Sequence, residues 1–484
     1  MMLAIIFTAL VHDAYLLFRY PVAVGVDGYY YVLQVENLHD RGTLFFPNST
    51  PLVIYLLVAL KFFVSSTVLA IKVGSFLFHL ALAAGVFALL KTLTRSRMHA
   101  MCGTLIIGAS SVHLFMLSEY IAHSGGLALL VWGAYFTVRA VRTGNTWWKG
   151  GAVIALVLAS LSHRSCIFMI AVLAVMLFIY HLIMTPVRVN RRRTLTAGAV
   201  GLAFFISPLV FAGQTFVALS PEVRDESLAS PGLSFGRVAI LEKCLLLLCS
   251  LLFLVISFKH SRRRQTFVYK VLGTISVLSL LMTLNPFLDR SGGWLSASER
   301  ISALAYIQLA ILLPGLFWLL SPSVGRLARP LCVASVICFS AFSLVISLPY
   351  GLRDDYLHDR IRLIKSLTEQ RQALTHLRRV IAPHGEQFVI TYSLGVPAQQ
   401  RVTPGEDLST THWLLQHFDR RNLNSVEGVI VLDEQQSTFI VPDKHLDAIL
   451  RAMPLWEGLE LTKANPHLID RILSGTNTYR LPVR

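Results

Sequence analysis

The chain has 484 residues, of which 54% are hydrophobic and 14% are charged, and its formal net charge is +16. Soluble domains usually carry about 25% charged residues, so this composition excludes an ordinary soluble globular protein and indicates an integral membrane protein. The basic excess does not indicate nucleic-acid binding, because most Lys and Arg residues lie in short loops between apolar segments. The six cysteines form neither a disulfide framework nor a metal-spaced cluster.

Apolar segments follow one another from the first residues to about position 350, and most approach the roughly 20 residues that a membrane span requires. The first segment lacks a basic start and a small-residue cleavage site, so we expect a retained span and not a signal peptide. We expect about eleven transmembrane helices, at roughly 2–19, 67–90, 100–117, 124–140, 150–162, 166–185, 194–212, 239–258, 267–286, 301–320 and 331–349.

The loops between these spans alternate in charge. By the positive-inside rule, the basic loops are cytoplasmic and the acidic loops are extracytoplasmic. The same rule makes 150–185 a hairpin with its polar tip outside, and it places the C-terminus outside. The basic loops are Lys91 to His99, Arg139 to Lys149, Arg188 to Arg193, Lys259 to Arg264 and Arg326 to Arg329.

The first extracytoplasmic loop, residues 20–66, is the longest among the early spans. It opens with an acidic-aromatic run, Asp27 to Tyr31, beside the membrane boundary. A short apolar piece, Leu52 to Val64, is typical of a helix lying in the interface, and the proline-flanked turn at 47–51 introduces it.

The composition changes at about Gly351, where charges become frequent and long apolar runs stop. Helical periodicity runs from Arg353 to Arg379, and 388–392 and 428–432 have the composition of strands. Further helical patterns lie near 413–418 and 445–453. We therefore divide the chain into a transmembrane domain, 1–350, and a small extracytoplasmic α/β domain, 351–484.

Four extracytoplasmic loops carry groups able to do chemistry at the membrane surface. Carboxylates can act as general bases or metal ligands, and cations can stabilise a departing phosphate. The candidates are Asp27 after the first span, Glu119 after the third, the hairpin tip His163 and Arg164, and Glu299 and Arg300 before the tenth. Two further polar residues, His12 and Asp13, lie inside the first span, where polar groups are unusual, and we expect them to pair with another span.

The run Val26-Asp27-Gly28-Tyr29-Tyr30-Tyr31, with the downstream Leu38 to Gly42 and the prolines before Leu52, resembles the first outer loop of GT-C superfamily glycosyltransferases. That superfamily includes protein O-mannosyltransferases, aminoarabinose transferases and the catalytic subunit of oligosaccharyltransferase. The sequence support is concentrated in residues 24–60, and the architectural likeness covers the membrane region. The resemblance implies a polytopic α-helical, GT-C-like membrane protein in the bacterial inner membrane.

The resemblance also implies an activity: transfer of a sugar from a polyprenyl-phosphate-linked donor to a lipid, glycan or protein acceptor on the extracytoplasmic face. Asp27 then corresponds to the catalytic carboxylate, with Glu119 as the later acid. Many relatives have paired acids where this chain has Asp27-Gly28, so dependence on a divalent cation, Mg²⁺ or Mn²⁺ held by Asp27 and Glu119, is open. The predicted substrate-binding residues are Tyr29, Tyr30, His163, Arg164, Glu299 and Arg300.

Two other functions compete with this prediction. A transporter or lipid flippase for cell-envelope glycolipids is the first, although the chain shows no obvious internal repeat and its acids cluster on one side. A non-catalytic assembly subunit is the second. Convergence of Asp27, Glu119, His163 and Arg300 on one cavity would favour the enzyme, and their wide separation would favour a scaffold.

Overall fold

The computed structural model describes residues 2–25, 27–45, 51–163, 166–167, 169–170, 244–256 without 254, 272–276 without 274, 305–344, 350–369, 379–381, 386–394, 430–433, 438–442, 462–463 and 476–480. Twelve labelled helices and five strands lie in these ranges. The helices are α1 (Met2–Phe18), α2 (Gly28–Arg41), α3 (Leu52–Lys61), α4 (Thr67–Thr94), α5 (Arg97–Ala109), α6 (Ser111–Ser118), α7 (Ile121–Thr143), α8 (Thr146–Ser162), α9 (Ala305–Val324), α10 (Ala328–Leu344), α11 (Asp354–Glu369) and α12 (Glu386–Leu394).

Two helices in the described ranges are long and apolar enough to cross a membrane, α4 and α7, and α5 with α6 adds a third if the bent pair is one span. Shorter apolar helices occur at 9–18, 146–162, 244–253, 306–321 and 328–339. These positions agree with the expected spans. The expected spans at 166–185, 194–212 and 267–286 fall mostly outside the described residues, so the count of eleven stays a prediction.

Local signals explain where these helices begin and end. Ser66 caps α4 by accepting a hydrogen bond from the backbone N–H of Leu69 (3.1 Å), and Asn145 caps α8 through Trp147 N–H (2.9 Å). Gly144 ends α7 in the left-handed conformation, as a C-terminal glycine commonly does.

The expected third span, 100–117, is bent by 60° between α5 and α6. The backbone of Ser110 is extended at the break, and its hydroxyl caps α6 by accepting from Val112 N–H (3.1 Å). The bend redirects α6 so that its C-terminal end, Ser118, reaches the first outer loop.

The main apolar core is formed where α4, α5, α7, α9 and α10 pack together. Large buried residues such as Leu90, Leu105 and Tyr306 lie in it. A second core joins α2, α3 and α12, so the first outer loop is itself a packed unit. As expected, Leu52 begins a helix in that loop: α3 buries Val53, Ile54 and Leu57 against its neighbours.

The region after residue 350 begins with two helices that pack against the first outer loop and against each other. The expected helix from Arg353 corresponds to α11, although Arg379 already belongs to a strand. The prediction of a strand at 388–392 is wrong, because these residues lie in α12. Phe388 and Tyr392, four residues apart on one helical face, contact Tyr30 and Tyr29 of α2.

Five strands pair in one antiparallel sheet: β1 (Arg379–Ile381), β2 (Ile430–Asp433), β3 (Thr438–Pro442), β4 (Thr462–Lys463) and β5 (Thr476–Arg480). Their order is β1-β2-β3-β5-β4. The expected strand at 428–432 corresponds to β2. The expected helices near 413–418 and 445–453 lie outside the described residues.

Candidate functional site

Asp27 lies at the N-terminus of α2 and is half-buried. The turn before it depends on Gly25, whose φ of +83° is costly for a residue with a side chain. Gly28 N–H donates to the carbonyl oxygen of Gly25 (3.2 Å), which closes this turn. The side chain of Asp27 makes no hydrogen bond that caps its own helix.

Glu119 lies at the break between α6 and α7 and is buried. Its Oε2 accepts a hydrogen bond from the backbone N–H of Asp27 (3.3 Å). The two acids predicted from separate loops therefore meet, 92 positions apart in sequence.

The Glu119 carboxylate is enclosed by two glycines. A Cβ on Gly25 would lie 2.0 Å from the carbonyl oxygen of Ser118 and 3.1 Å from Glu119 Oε2. A Cβ on Gly351 would lie 2.3 Å from Glu119 Oε1 and 2.5 Å from the Cα of Gly25. Gly25 N–H also donates to the Gly351 carbonyl (2.9 Å). Three segments that are distant in sequence therefore meet at this carboxylate. Their close approach requires glycine at positions 25 and 351.

Arg360 of α11 stabilises the turn that contains Gly25. The residue is 1% exposed, and its guanidinium donates to the carbonyl oxygen of Gly25 (2.6 Å) and to the hydroxyl of Tyr356. The same guanidinium lies over the rings of Tyr29 (5.5 Å) and Tyr356 (4.4 Å). This buried cation fixes the turn that precedes Asp27.

A second set of contacts ties the end of α1 to the segment before α11. Arg19 forms an ion pair with Asp354 (2.9 Å) and donates to the carbonyl of Leu352. Lys72 of α4 donates to the carbonyl of Tyr20. The stretch that leads from the first span into the site is therefore held at its start, at Arg19 and Tyr20.

The two neighbouring tyrosines that were predicted to bind substrate differ in their exposure to solvent. Tyr29 is 2% exposed and packs between Arg360 and Tyr392, so it belongs to the core instead of a substrate-facing surface. Burial raises the pKa of its hydroxyl. Tyr30 is only partly buried, and its hydroxyl accepts a hydrogen bond from Gln34 (3.0 Å).

His163 follows the last residue of α8, and most of the second half of the predicted hairpin lies outside the described residues. Its ring stacks on the ring of His123 at 4.6 Å between centroids, and His123 in turn meets Tyr120, the neighbour of Glu119. Ring contacts therefore lead from His163, at the predicted hairpin tip, to the residue that follows Glu119. Arg164, Glu299 and Arg300 lie outside the described residues.

Asp27 and Glu119 alone offer few ligands for a metal ion. Within the described residues, no third His, Cys, Asp or Glu joins Asp27 and Glu119 in a group with metal-binding spacing. Glu119 already accepts a backbone hydrogen bond through Oε2. These two side chains would leave a Mg²⁺ or Mn²⁺ ion dependent on water and substrate oxygens for its remaining ligands.

Four residues of this site were not predicted from sequence: Gly25, Gly351, Arg360 and His123. Gly351 and Arg360 act across more than 300 positions of the chain, a separation that no local pattern reports. His123 sits in an apolar helix and had only its residue type as a signal.

No family model and no curated protein matches this sequence. Among solved structures, the chain is similar to ArnT from Cupriavidus metallidurans bound to undecaprenyl phosphate, with a TM-score of 0.52 and 12% identity, over 99% of this chain and 97% of that chain. It is also similar to the Archaeoglobus fulgidus oligosaccharyltransferase in the apo form, with a TM-score of 0.47 and 15% identity. That match covers 84% of this chain and 61% of the oligosaccharyltransferase. The ArnT likeness shows that the chain shares the fold of that structure, as the resemblance in the sequence had predicted.

Proposed function

We propose that this chain is a membrane glycosyltransferase that takes a sugar from a polyprenyl-phosphate-linked donor and attaches it to an acceptor on the extracytoplasmic face. The observation that carries the proposal is the hydrogen bond from the backbone N–H of Asp27 to Glu119. The GT-C resemblance relates these two acids to separate loops, the first outer loop and a later one. The ArnT structure with undecaprenyl phosphate supports the class of donor.

The proposed reaction needs one carboxylate that can reach the acceptor. Asp27 is the better candidate, because it is half-buried at a helix start while Glu119 is enclosed by backbone. Asp27 takes the proton of the acceptor hydroxyl or amine as that atom forms a bond to the anomeric carbon. The bond from the anomeric carbon to the phosphate oxygen breaks, and its electron pair leaves with the polyprenyl phosphate.

Glu119 acts as a positioning residue in this proposal. By accepting from the N–H of Asp27, it fixes the backbone at the point where the reacting carboxylate is attached. Preorganisation of this kind matters because small misplacements of a reacting group carry large rate penalties.

The leaving phosphate requires a positive group close to the bilayer surface. Arg360 is committed to the carbonyl of Gly25 and is buried, so we assign this role to Arg300, with Arg164 as a further contact at the hairpin tip. Tyr30, His163 and Glu299 complete the proposed substrate-binding set. We place the region 351–484 outside the membrane as an α/β domain, and the protein in the bacterial inner membrane.

The reaction is tested with purified protein in detergent, a panel of synthetic undecaprenyl-phospho-sugars and an extract of cell-envelope acceptors. Release of undecaprenyl phosphate together with a labelled product is expected. Asp27→Asn should lower the rate by about 100-fold or more, the range in which general bases contribute. Asp40→Asn, at the exposed end of the same helix, is the matched control and should keep the wild-type rate.

Each alternative gives a different result. Movement of an intact donor across proteoliposomes, with no cleavage of the sugar–phosphate bond, would identify a flippase. Equal rates for Asp27→Asn and wild type would remove Asp27 from the mechanism. Activity that disappears with EDTA and returns with Mg²⁺ or Mn²⁺ would establish the divalent cation, with Asp27 and Glu119 as its proposed ligands.

A further inference from the structure

A second polar cluster lies inside the bundle, away from the extracytoplasmic loops. Asp13 of α1, His79 of α4 and His113 of α6 are each at most 3% exposed. Their ligand atoms all lie within 4.8 Å of one another. Asp13 contacts two other helices, as its predicted pairing with another span requires, whereas His12 lies beside Asp13 on the same helix.

The geometry of the cluster directs three donor atoms at a common point. Asp13 Oδ1 lies 2.9 Å from Nε2 of His113, and Asp13 Oδ2 lies 3.4 Å from Nε2 of His79. The two imidazole rings stack at 4.7 Å between centroids, inclined by 27°. Each residue comes from a different helix, so the cluster is formed only when α1, α4 and α6 are assembled.

His113 makes a hydrogen bond outside the cluster through one ring nitrogen, and this bond defines which of its two ring nitrogens can act as a metal ligand. Nδ1 of His113 lies 2.5 Å from the carbonyl oxygen of Ser110, and a carbonyl can only accept, so Nδ1 carries the hydrogen. In the neutral ring this leaves a lone pair on Nε2, pointing at the carboxylate of Asp13. A histidine whose outer N–H is held by a backbone carbonyl is the usual arrangement of a metal-binding histidine.

A proton on His113 alone does not satisfy this cluster. An imidazolium would pair with Asp13 Oδ1, but Asp13 Oδ2 and His79 Nε2 would still lack a hydrogen-bond partner among the described residues. Such buried polar atoms are costly, above all in a membrane-spanning bundle. A single cation between the three side chains would satisfy all of them together.

We propose that Asp13, His79 and His113 form a binding site for a divalent transition-metal ion of the zinc type. Two imidazole nitrogens and one carboxylate oxygen are a donor set that suits such ions, with Zn–N and Zn–O distances of about 2.0–2.2 Å. Mg²⁺ and Ca²⁺ prefer all-oxygen sites and are disfavoured here.

The position of this site suggests what it does. Asp13 lies on the helix that leads into the turn at Gly25, and His113 lies on the short helix that ends beside Glu119. Their third partner, His79, is on α4, which also contacts α6 where Ser75 donates to the carbonyl of Leu117 (2.5 Å). A metal ion here would hold α1 against α6, the two helices that precede Asp27 and Glu119 in the chain. Its role is structural positioning, not sugar transfer.

The site is tested by loading purified protein with Zn²⁺, removing excess ion and measuring metal content by mass spectrometry. Stoichiometric Zn²⁺ in the wild type is expected, with at least about 10-fold weaker binding in Asp13→Asn and in His113→Gln. His99→Gln removes an equally buried histidine from α5 and should retain the ion. Asp27→Asn should also retain it, which separates this site from the extracytoplasmic carboxylates.

A measurement on the wild type makes the test independent of how the variants fold. The zinc X-ray absorption spectrum should show only nitrogen and oxygen neighbours, with outer-shell scattering from two imidazoles. Substoichiometric zinc in the wild type would overturn the proposal, leaving a proton-bridged carboxylate–imidazole cluster. Loss of zinc in Asp27→Asn with retention in Asp13→Asn would also overturn it, and so would sulfur ligation.

Discussion

At the scale of single residues, the carboxylate of Glu119 lies between two glycines from distant parts of the chain. Gly25 and Gly351 make backbone contact with each other, and an added Cβ on either would meet atoms at 2.0–2.7 Å. The close approach is therefore a requirement of the site, because it lets Glu119 reach the N–H of Asp27. Neither glycine contributes a functional group, but both help to determine the position of the Glu119 carboxylate.

Gly351→Ala tests this enclosure. Its Cβ would collide with Oε1 of Glu119, and overpacking of this kind usually costs about 1–3 kcal/mol. We expect a lower unfolding temperature in detergent together with reduced sugar transfer.

Gly150→Ala is the matched control, because a Cβ at that helical position meets nothing within 4 Å. It should keep or slightly raise the unfolding temperature, since alanine favours helices. An unfolding temperature and transfer rate for Gly351→Ala equal to those of the Gly150 variant would contradict the proposed enclosure.

The sequence predicted the positions of the two acids, but it did not predict the residues that contact them. Asp27 and Glu119 could be located because each sits at the end of an apolar segment, where charge is conspicuous. Their contact partners could not, because Gly351 and Arg360 depend on how α11 docks against the first outer loop. The three residues of the buried cluster, Asp13, His79 and His113, likewise share no local spacing, since they come from three helices.

At the scale of elements, α11 serves as the support of the first outer loop. It begins beside Gly351 and carries Arg360, and its apolar side packs in a small core with the end of α1. The loop that holds Asp27 thus depends on a helix far away in sequence. A helix that merely linked two domains would not need a buried arginine.

Arg360→Met tests the support. The substitution keeps most of the side-chain volume but leaves the carbonyl of Gly25 without its charged donor, a loss of about 1.5–3 kcal/mol. We expect reduced stability in thermal unfolding and a lower rate of transfer.

Arg362→Ala, on the exposed side of the same helix, should change neither quantity. Similar losses in both variants would show that the general charge of α11 matters instead of the specific bond to Gly25.

The element boundaries show where tertiary packing overrides local preference. Residues 388–392 are rich in β-branched and aromatic residues, which favour strands, but they form a helix. The helix places Phe388 and Tyr392 against the tyrosines of α2, and that contact decides the outcome. The bend at Ser110 was missed for a similar reason, because the apolar pattern continues through it.

At the scale of the whole molecule, the proposed reaction requires that the loop holding Asp27 and the loop between α7 and α8 lie on opposite sides of the membrane. Loop charges predict this arrangement, and the long apolar helices α4 and α7 are compatible with it. The fold class was predictable because membrane spans leave a strong compositional signal. Helix packing and the antiparallel sheet were not, since both depend on long-range contacts.

The orientation is tested by cysteine labelling in intact cells, after the exposed Cys244 and Cys338 are replaced by serine. Asp40→Cys should react with a membrane-impermeant maleimide, because we expect it outside. Asn145→Cys should react only after the cells are opened. The reverse pattern would contradict the predicted topology and, with it, the extracytoplasmic site.

The most direct test of the central claim is a single-turnover measurement of sugar transfer from an undecaprenyl-phospho-sugar, comparing wild type with Asp27→Asn. Single turnover isolates the bond-making step from product release. We expect the variant to bind undecaprenyl phosphate as the wild type does but to transfer sugar about 100-fold more slowly or worse. A transfer rate equal to that of the wild type, with binding unchanged, would contradict a catalytic role for Asp27.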